Sequence, residues 1–304
     1  MANRLEATAW DDATQRPVET MTGLPYVRVV REGGDEFLTS SRLEAHRLFS
    51  AFIRDSQWAG TKGDVKLLEA LNIQPDTPLP IREMAAAIMA LDPFSLLHGI
   101  FFAGQTTAQG DRAAWPAQPK FTRAVSAVIE AHGVSRLVSG GRKSDDVRHR
   151  EDKAVQGGSA EGYGSVPFSR TEWTAEEIVA SFVIDAELIR SYGLPQPAGD
   201  LLIAIAMWEI RSLLDGGLRL RTACDLDVVG GVETKRGDAL PELAELDARV
   251  RELVMASATS LGDGNAITVE WAAKNVSARA GLCRRRWCCD ARSVDITRPR
   301  GDGT

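Results

Sequence analysis

The chain has 304 residues, 44% hydrophobic and 26% charged, enough to bury a sizeable core in one large domain or two small ones. A formal net charge of −6 excludes a protein that grips nucleic acid over its whole surface, so any such site must be local. No apolar run of about 18 residues occurs and the first residues lack the basic and apolar stretches of a secretory signal, which points to the cytoplasm.

Taken in chain order, Ala2 to Asp12 places Leu5 and Ala9 at helical spacing and predicts a short amphipathic helix. Tyr26 to Arg31 alternates apolar and basic residues as a half-buried strand does, and Gly33-Gly34 supplies a turn. Ser40 or Ser41 followed by Glu44 has the spacing of a capping box, predicting a helix that carries Leu43, Leu48 and Phe52 on one face and includes His46 and Arg47. A proline-led helix runs from Pro80 to Leu91 and stops at Asp92-Pro93, since the residue before proline disfavours helical backbone. Ser95 to Ala103, nearly all apolar around His98, reads as a buried strand.

A helix is expected near Thr122 to Ala131 and a strand near Val134 to Ser139. From Gly140 to Gly164 the chain is polar, glycine-rich and without period, and reads as a long loop or an extended hairpin projecting from the body. A strand at Glu177 to Asp185 precedes a strongly periodic helix, Ala198 to Leu214, ended by Gly216-Gly217. Arg219 to Val229 reads as turn and strand, Leu240 to Ala256 as an amphipathic helix, and Ala266 to Trp271 as a strand. Beyond Ala272 periodicity is lost and disorder is expected through 304. The mixed order of strands and helices indicates α+β or α/β.

No enzyme motif is present: there is no nucleophile elbow, phosphate loop or dinucleotide glycine fingerprint, and only His46, His98, His132 and His149 are available as bases. His98, inside an apolar stretch, reads as a core histidine. Cys283, Cys288 and Cys289 lack a second ligand pair, so no zinc site is expected, and the pairs Asp145-Asp146 and Asp225-Asp227 read as solvated carboxylates. The cations cluster at Arg142, Lys143, Arg148 and Arg150, at Arg219 and Arg221, and at Arg284 to Arg286, which on spacing alone describe a charged surface. Tyr163, Phe168 and Trp173 lie near the first cluster, where aromatic rings can stack on bases.

Seven segments in order resemble one family: MANRLEA from Met1, GLPYV from Gly23, SSRLEAHRL from Ser40, DPFSLLHG from Asp92, SGGRKSD from Ser139, GYGSVPF from Gly162 and GGLRLRTACDL from Gly216. The chain is similar to the GSU0053-like backbone subunits of type I-U (I-G) CRISPR effector complexes, members of the RAMP superfamily. That resemblance implies an α+β fold in which a ferredoxin-like or RRM-like palm carries an inserted hairpin thumb and helical insertions. The domain would span residues 1–272, with the thumb at about 140–164, a divergent tail at 273–304, and the family's first palm strand missing from this sequence. It implies a non-catalytic protein without cofactor or metal, whose partners are CRISPR guide RNA, further copies of itself, other effector subunits and, through the guide, target DNA. Candidate RNA contacts are Arg142, Lys143 and Arg148 on the thumb, Arg219 and Arg221 beside the glycine pair, and His46 with Arg47. The alternative within the superfamily is a metal-independent endoribonuclease using His46 or His149 as base.

Overall fold

The computed structural model describes residues 2–73, 78–101, 105–106, 112–113, 120–145, 164–219 and 224–272. Met1–Trp271 form one compact unit and Ala272–Thr304 a second, of which only Ala272 is among the described residues.

The body is built round a five-stranded sheet whose order runs Phe37–Ser40, Tyr26–Arg31, Ala266–Trp271, Gln57–Trp58, Thr61–Lys62. Tyr26–Arg31 and Ala266–Trp271 pair in parallel from Tyr26 opposite Ala266 to Arg31 opposite Trp271, while the neighbouring pairs are antiparallel. The sequence YVRVVR is β-branched at three of its six positions and buries Tyr26, Val27, Val29 and Val30, which point to alternate sides, so both faces of this strand are covered.

Eight helices are described: α1 (Ala2–Thr8), α2 (Ala51–Asp55), α3 (Gly63–Ala70), α4 (Ile81–Leu91), α5 (Pro93–His98), α6 (Ala186–Ser191), α7 (Gln196–Asp215) and α8 (Leu243–Ala256). α7 is the spine of the core. It buries Leu201, Leu202, Ile205, Trp208 and Ile210 against α1, α5 and α8. Its end is sharp because Gly216 donates to the Ser212 carbonyl and Gly217 takes a φ of +70°, a conformation costly for any residue with a Cβ. α8 buries only Leu246, Val250 and Leu253, one stripe of an otherwise exposed helix.

Several expectations are corrected. The Ser40 helix does not form: Ser40 ends a strand, Thr39 Oγ1 donates to Glu44 Oε1 at 2.6 Å, and Arg47 has a φ of +49°, which a helix cannot contain. Leu43 and Phe52, expected on its buried face, are exposed, and the helix nearby is instead α2, capped by Ser50 accepting from the Ile53 N–H. Ser95 to Ala103 is not a strand, because Pro93 opens α5 at a position where its missing N–H costs nothing; Gly99, with φ +84°, ends the helix before a short strand at Ile100–Phe101. The helix expected near Thr122 to Ala131 is a strand, Val125–His132, drawn into a ladder by Glu177–Ile184. At the N-terminus the helix stops at Thr8, and Trp10–Asp11 pairs with Arg16–Pro17.

Tyr26–Arg31 and Ala266–Trp271 form at the expected bounds, and α4, α7 and α8 lie where periodicity places them. The tail from 273 onward and the stretch 146–163 lie outside the described residues.

Candidate nucleic-acid interface

A long two-stranded ribbon leaves the body. Val125–His132 pairs with Glu177–Ile184, and after a two-residue interruption on each side Ser135–Asp145 pairs with Gly164–Thr174 in unchanged phase. From Val125 to Asp145 the strand would measure about 70 Å fully extended. Its base is fixed to the body by the Ala124 N–H donating to the Leu97 carbonyl at 2.9 Å and the Asp185 N–H donating to the Ala124 carbonyl at 2.8 Å. Val125 is fully buried and Ala127, Phe182 and Ile184 pack against the core, whereas from Ser135 outward every described side chain is exposed.

Residues directly opposite in this antiparallel ladder share a face. One outer face carries Arg136 opposite Trp173, Val138 opposite Thr171, Gly140 opposite Ser169, and Arg142 opposite Pro167. It contains no carboxylate among the described side chains. The other face carries Leu137, Phe168 lying over Gly141, and an ion pair between Arg170 and Glu172 at 3.4 Å. Trp173 is 66% and Val138 61% exposed, a large apolar area for a two-stranded ribbon, an element that is marginal in water unless something covers it. The first face thus joins guanidinium charge to an open indole, the combination that holds phosphates and stacks on unpaired bases.

Arg142 lies on that face, Lys143 is placed by its backbone alone on the opposite one, and Arg148 and Arg221 are outside the described residues. Arg136 was not among the sequence candidates, although it is the residue paired with Trp173. The signal for it was the alternation of the strand itself, masked by Gly140-Gly141 and legible only beside its distant partner strand.

The remaining candidates lie elsewhere. His46 is exposed on the turn before Arg47. Arg47 is buried, and its Nη1 and Nη2 donate to Glu6 Oε1 and Oε2 at 2.9 and 2.6 Å, so its guanidinium is committed to the interior. Arg219 is exposed, but its cross-strand partner is Asp225 and its carbonyl accepts from Arg4 Nη2 at 3.0 Å. Arg4, Arg219 and Asp225 line a groove of about 470 Å³ with Asp12 at the C-terminal end of α7, an environment of mixed charge beside the negative end of a helix dipole.

Beneath the surface, Glu6, Arg47, Asp92, His98 and Glu209 form a buried polar cluster. His98 Nε2 and Glu209 Oε1 are 3.0 Å apart, and Ser95 Oγ donates to Asp92 Oδ2 at 2.8 Å. Burial pushes the Glu209 and Asp92 carboxyls above their ordinary values, against the pull of His98 on the first and Arg47 on the second. Burial pushes Glu6 the same way, but Arg47, with help from His98 and Arg42, outweighs it and holds that carboxyl below its usual value. His98 Nδ1 and Glu209 Oε2 find no partner among the described residues. All five residues are at most 9% exposed, so the cluster ties α1, α5 and α7 to the Arg47 turn and offers no surface to a substrate. His98 is the core histidine its sequence context describes.

Among the described residues no helix is long and apolar enough to cross a membrane. The described geometry is that of an α+β protein that presents a surface, with its interior polar groups closed off. Residues 1–136 match the family model of CRISPR-associated protein GSU0053, and over that segment the chain is similar to that family. The match takes in the part of the body that precedes the ribbon and the ribbon's first inner strand, ends at Arg136, and leaves out α6, α7, α8 and the strand Ala266–Trp271. Comparison with curated proteins finds no match.

Proposed function

We propose that this protein is a guide-RNA-binding backbone subunit of a type I-U CRISPR effector complex in antiviral defence, and that it performs no chemistry. In this reading the body is the palm and the ribbon the thumb, several copies lie along one guide RNA together with other effector subunits, and target DNA is reached through the guide. The observation that carries the proposal is the ribbon face bearing Arg136, Arg142 and Trp173, on which the described side chains include no carboxylate. On a chain with net charge −6 such a face is a local site of the kind an RNA backbone requires. Arginine to phosphate and indole to base carry little sequence information, which suits a protein that must accept any guide. The family match over residues 1–136 supports a CRISPR-associated role.

The test is binding of a single-stranded guide RNA measured at several salt concentrations. Replacing Arg136 and Arg142 by alanine should weaken binding and reduce the slope of log K against log salt by about 0.7 for each phosphate that is no longer neutralised. An unchanged slope with unchanged affinity removes the ribbon from the RNA interface.

A further inference from the structure

Helices α7 and α8 are tied together by Trp208 Nε1 donating to Asp247 Oδ1 at 2.7 Å and by an ion pair between Arg211 and Glu242. Beyond these two links they leave an open groove of about 540 Å³. On α7 the lining residues Asp200, Ile203 and Met207 recur at three and four positions and therefore share one face, as do Glu245, Ala248 and Glu252 on α8. The floor is apolar, formed by Ile203 and Met207 with buried Leu246. The segment from Asp238 to Pro241 closes one side.

Four carboxylates, Asp200, Asp238, Glu245 and Glu252, stand round this floor against a single cation, Arg249, whose Nη1 is 3.1 Å from Glu252. Such a rim repels phosphate, so this is not a second nucleic-acid face. The carboxylates are spread along the two helices: among the described residues no three acidic, histidine or cysteine side chains converge as metal ligands would. The complementary ligand has cations distributed along a length and apolar groups between them, and a helix with both is the simplest object of that kind.

We propose that the α7–α8 groove docks a basic amphipathic helix of a partner polypeptide, its apolar stripe on Ile203, Met207 and Leu246 and its lysines or arginines over Asp200, Asp238, Glu245 and Glu252. The assignment is independent of the ribbon and of the RNA reading.

The probe is a labelled amphipathic peptide of about 15 residues, leucine on one face and lysine on the other, titrated by fluorescence anisotropy against the full chain. The peptide binds, the affinity falls as salt rises, and a counterpart with glutamate in place of lysine does not bind. The double variant Asp238→Lys/Glu252→Lys weakens the lysine peptide by about tenfold while guide-RNA affinity holds. Should that variant melt early, Ala248→Arg, at an exposed position in the groove, obstructs the same site by bulk and gives the same loss. A wild-type chain that ignores the lysine peptide, or a folded variant that binds it as tightly as wild type, overturns the proposal. So does a variant that loses RNA instead of peptide, which would make this face part of the nucleic-acid interface.

Discussion

Glu209 is fully buried on α7, and one carboxylate oxygen reaches only His98. Because burial raises its pKa in the folded protein, the unfolded chain loses this proton first as pH rises through the ordinary value of 4.5. Stability therefore declines from that pH up to the folded-state value, by at most about 1.4 kcal/mol per pH unit for one proton. Asp92 contributes in the same direction from 3.8, and Glu6 in the opposite one: its depressed pKa gives stability that is present above 4.5 and lost on acidification. Glu209→Gln has no proton to lose, so urea unfolding followed from about pH 4.5 to 7 should show a flatter stability profile than wild type. Equal slopes would mean that Glu209 ionises within the fold. His98 was legible as a core residue because its flanks are apolar. Its acceptor was not, since Glu209 is 111 positions away. Arg47 misled for a related reason: SRLEAHR has the look of a solvent-facing amphipathic helix, and only the approach of Glu6 from α1 explains a buried guanidinium on a turn.

Where an element's local pattern and its tertiary demand coincide, as in α7 and in Tyr26–Arg31, the sequence was enough to find it. Where they diverge it was not: Val125–His132 carries Val125, Val128 and Ile129 at spacings that also fit a helix face, and it is a strand because Glu177–Ile184 returns to pair with it. The union of α7, α8 and the turn at Glu19–Met21 was equally invisible. It rests on Asp247, whose Oδ1 accepts from Trp208 Nε1 at 2.7 Å and from Thr20 Oγ1 at 2.6 Å. Asp247→Ala leaves two donors without their acceptor and should cost about 2–3 kcal/mol in denaturant unfolding. A loss under about 0.5 kcal/mol would mean that water replaces the carboxylate at no expense.

At the scale of the molecule, the ribbon's outer half contributes nothing to the hydrophobic core among the described residues, while its inner half contributes Val125, Ala127, Phe182 and Ile184. Excising residues 135–174 and joining the inner strands by an Asn-Gly turn should leave the melting temperature of the body nearly unchanged and abolish guide-RNA binding. Retained RNA affinity in that shortened chain would move the interface onto the body. The extent of the ribbon was only half legible. A projecting hairpin was one reading of the glycine-rich stretch, but the ladder begins at Val125, well before that stretch, because its inner strands alternate too weakly to be separated from helix without their partners.

The strand Ala266–Trp271 lies between Tyr26–Arg31 and Gln57–Trp58. On the ribosome those two flanking strands emerge about 200 residues before the strand that joins them, a delay of about 10–40 s at ordinary elongation rates. Throughout that interval the backbone of Tyr26–Arg31 lacks its partner on the side that Ala266–Trp271 takes in the finished sheet, an open edge able to pair with another strand. The sheet therefore closes only after Ala266–Trp271 has been made, and a cell making this protein must keep that edge from capturing the wrong strand until then.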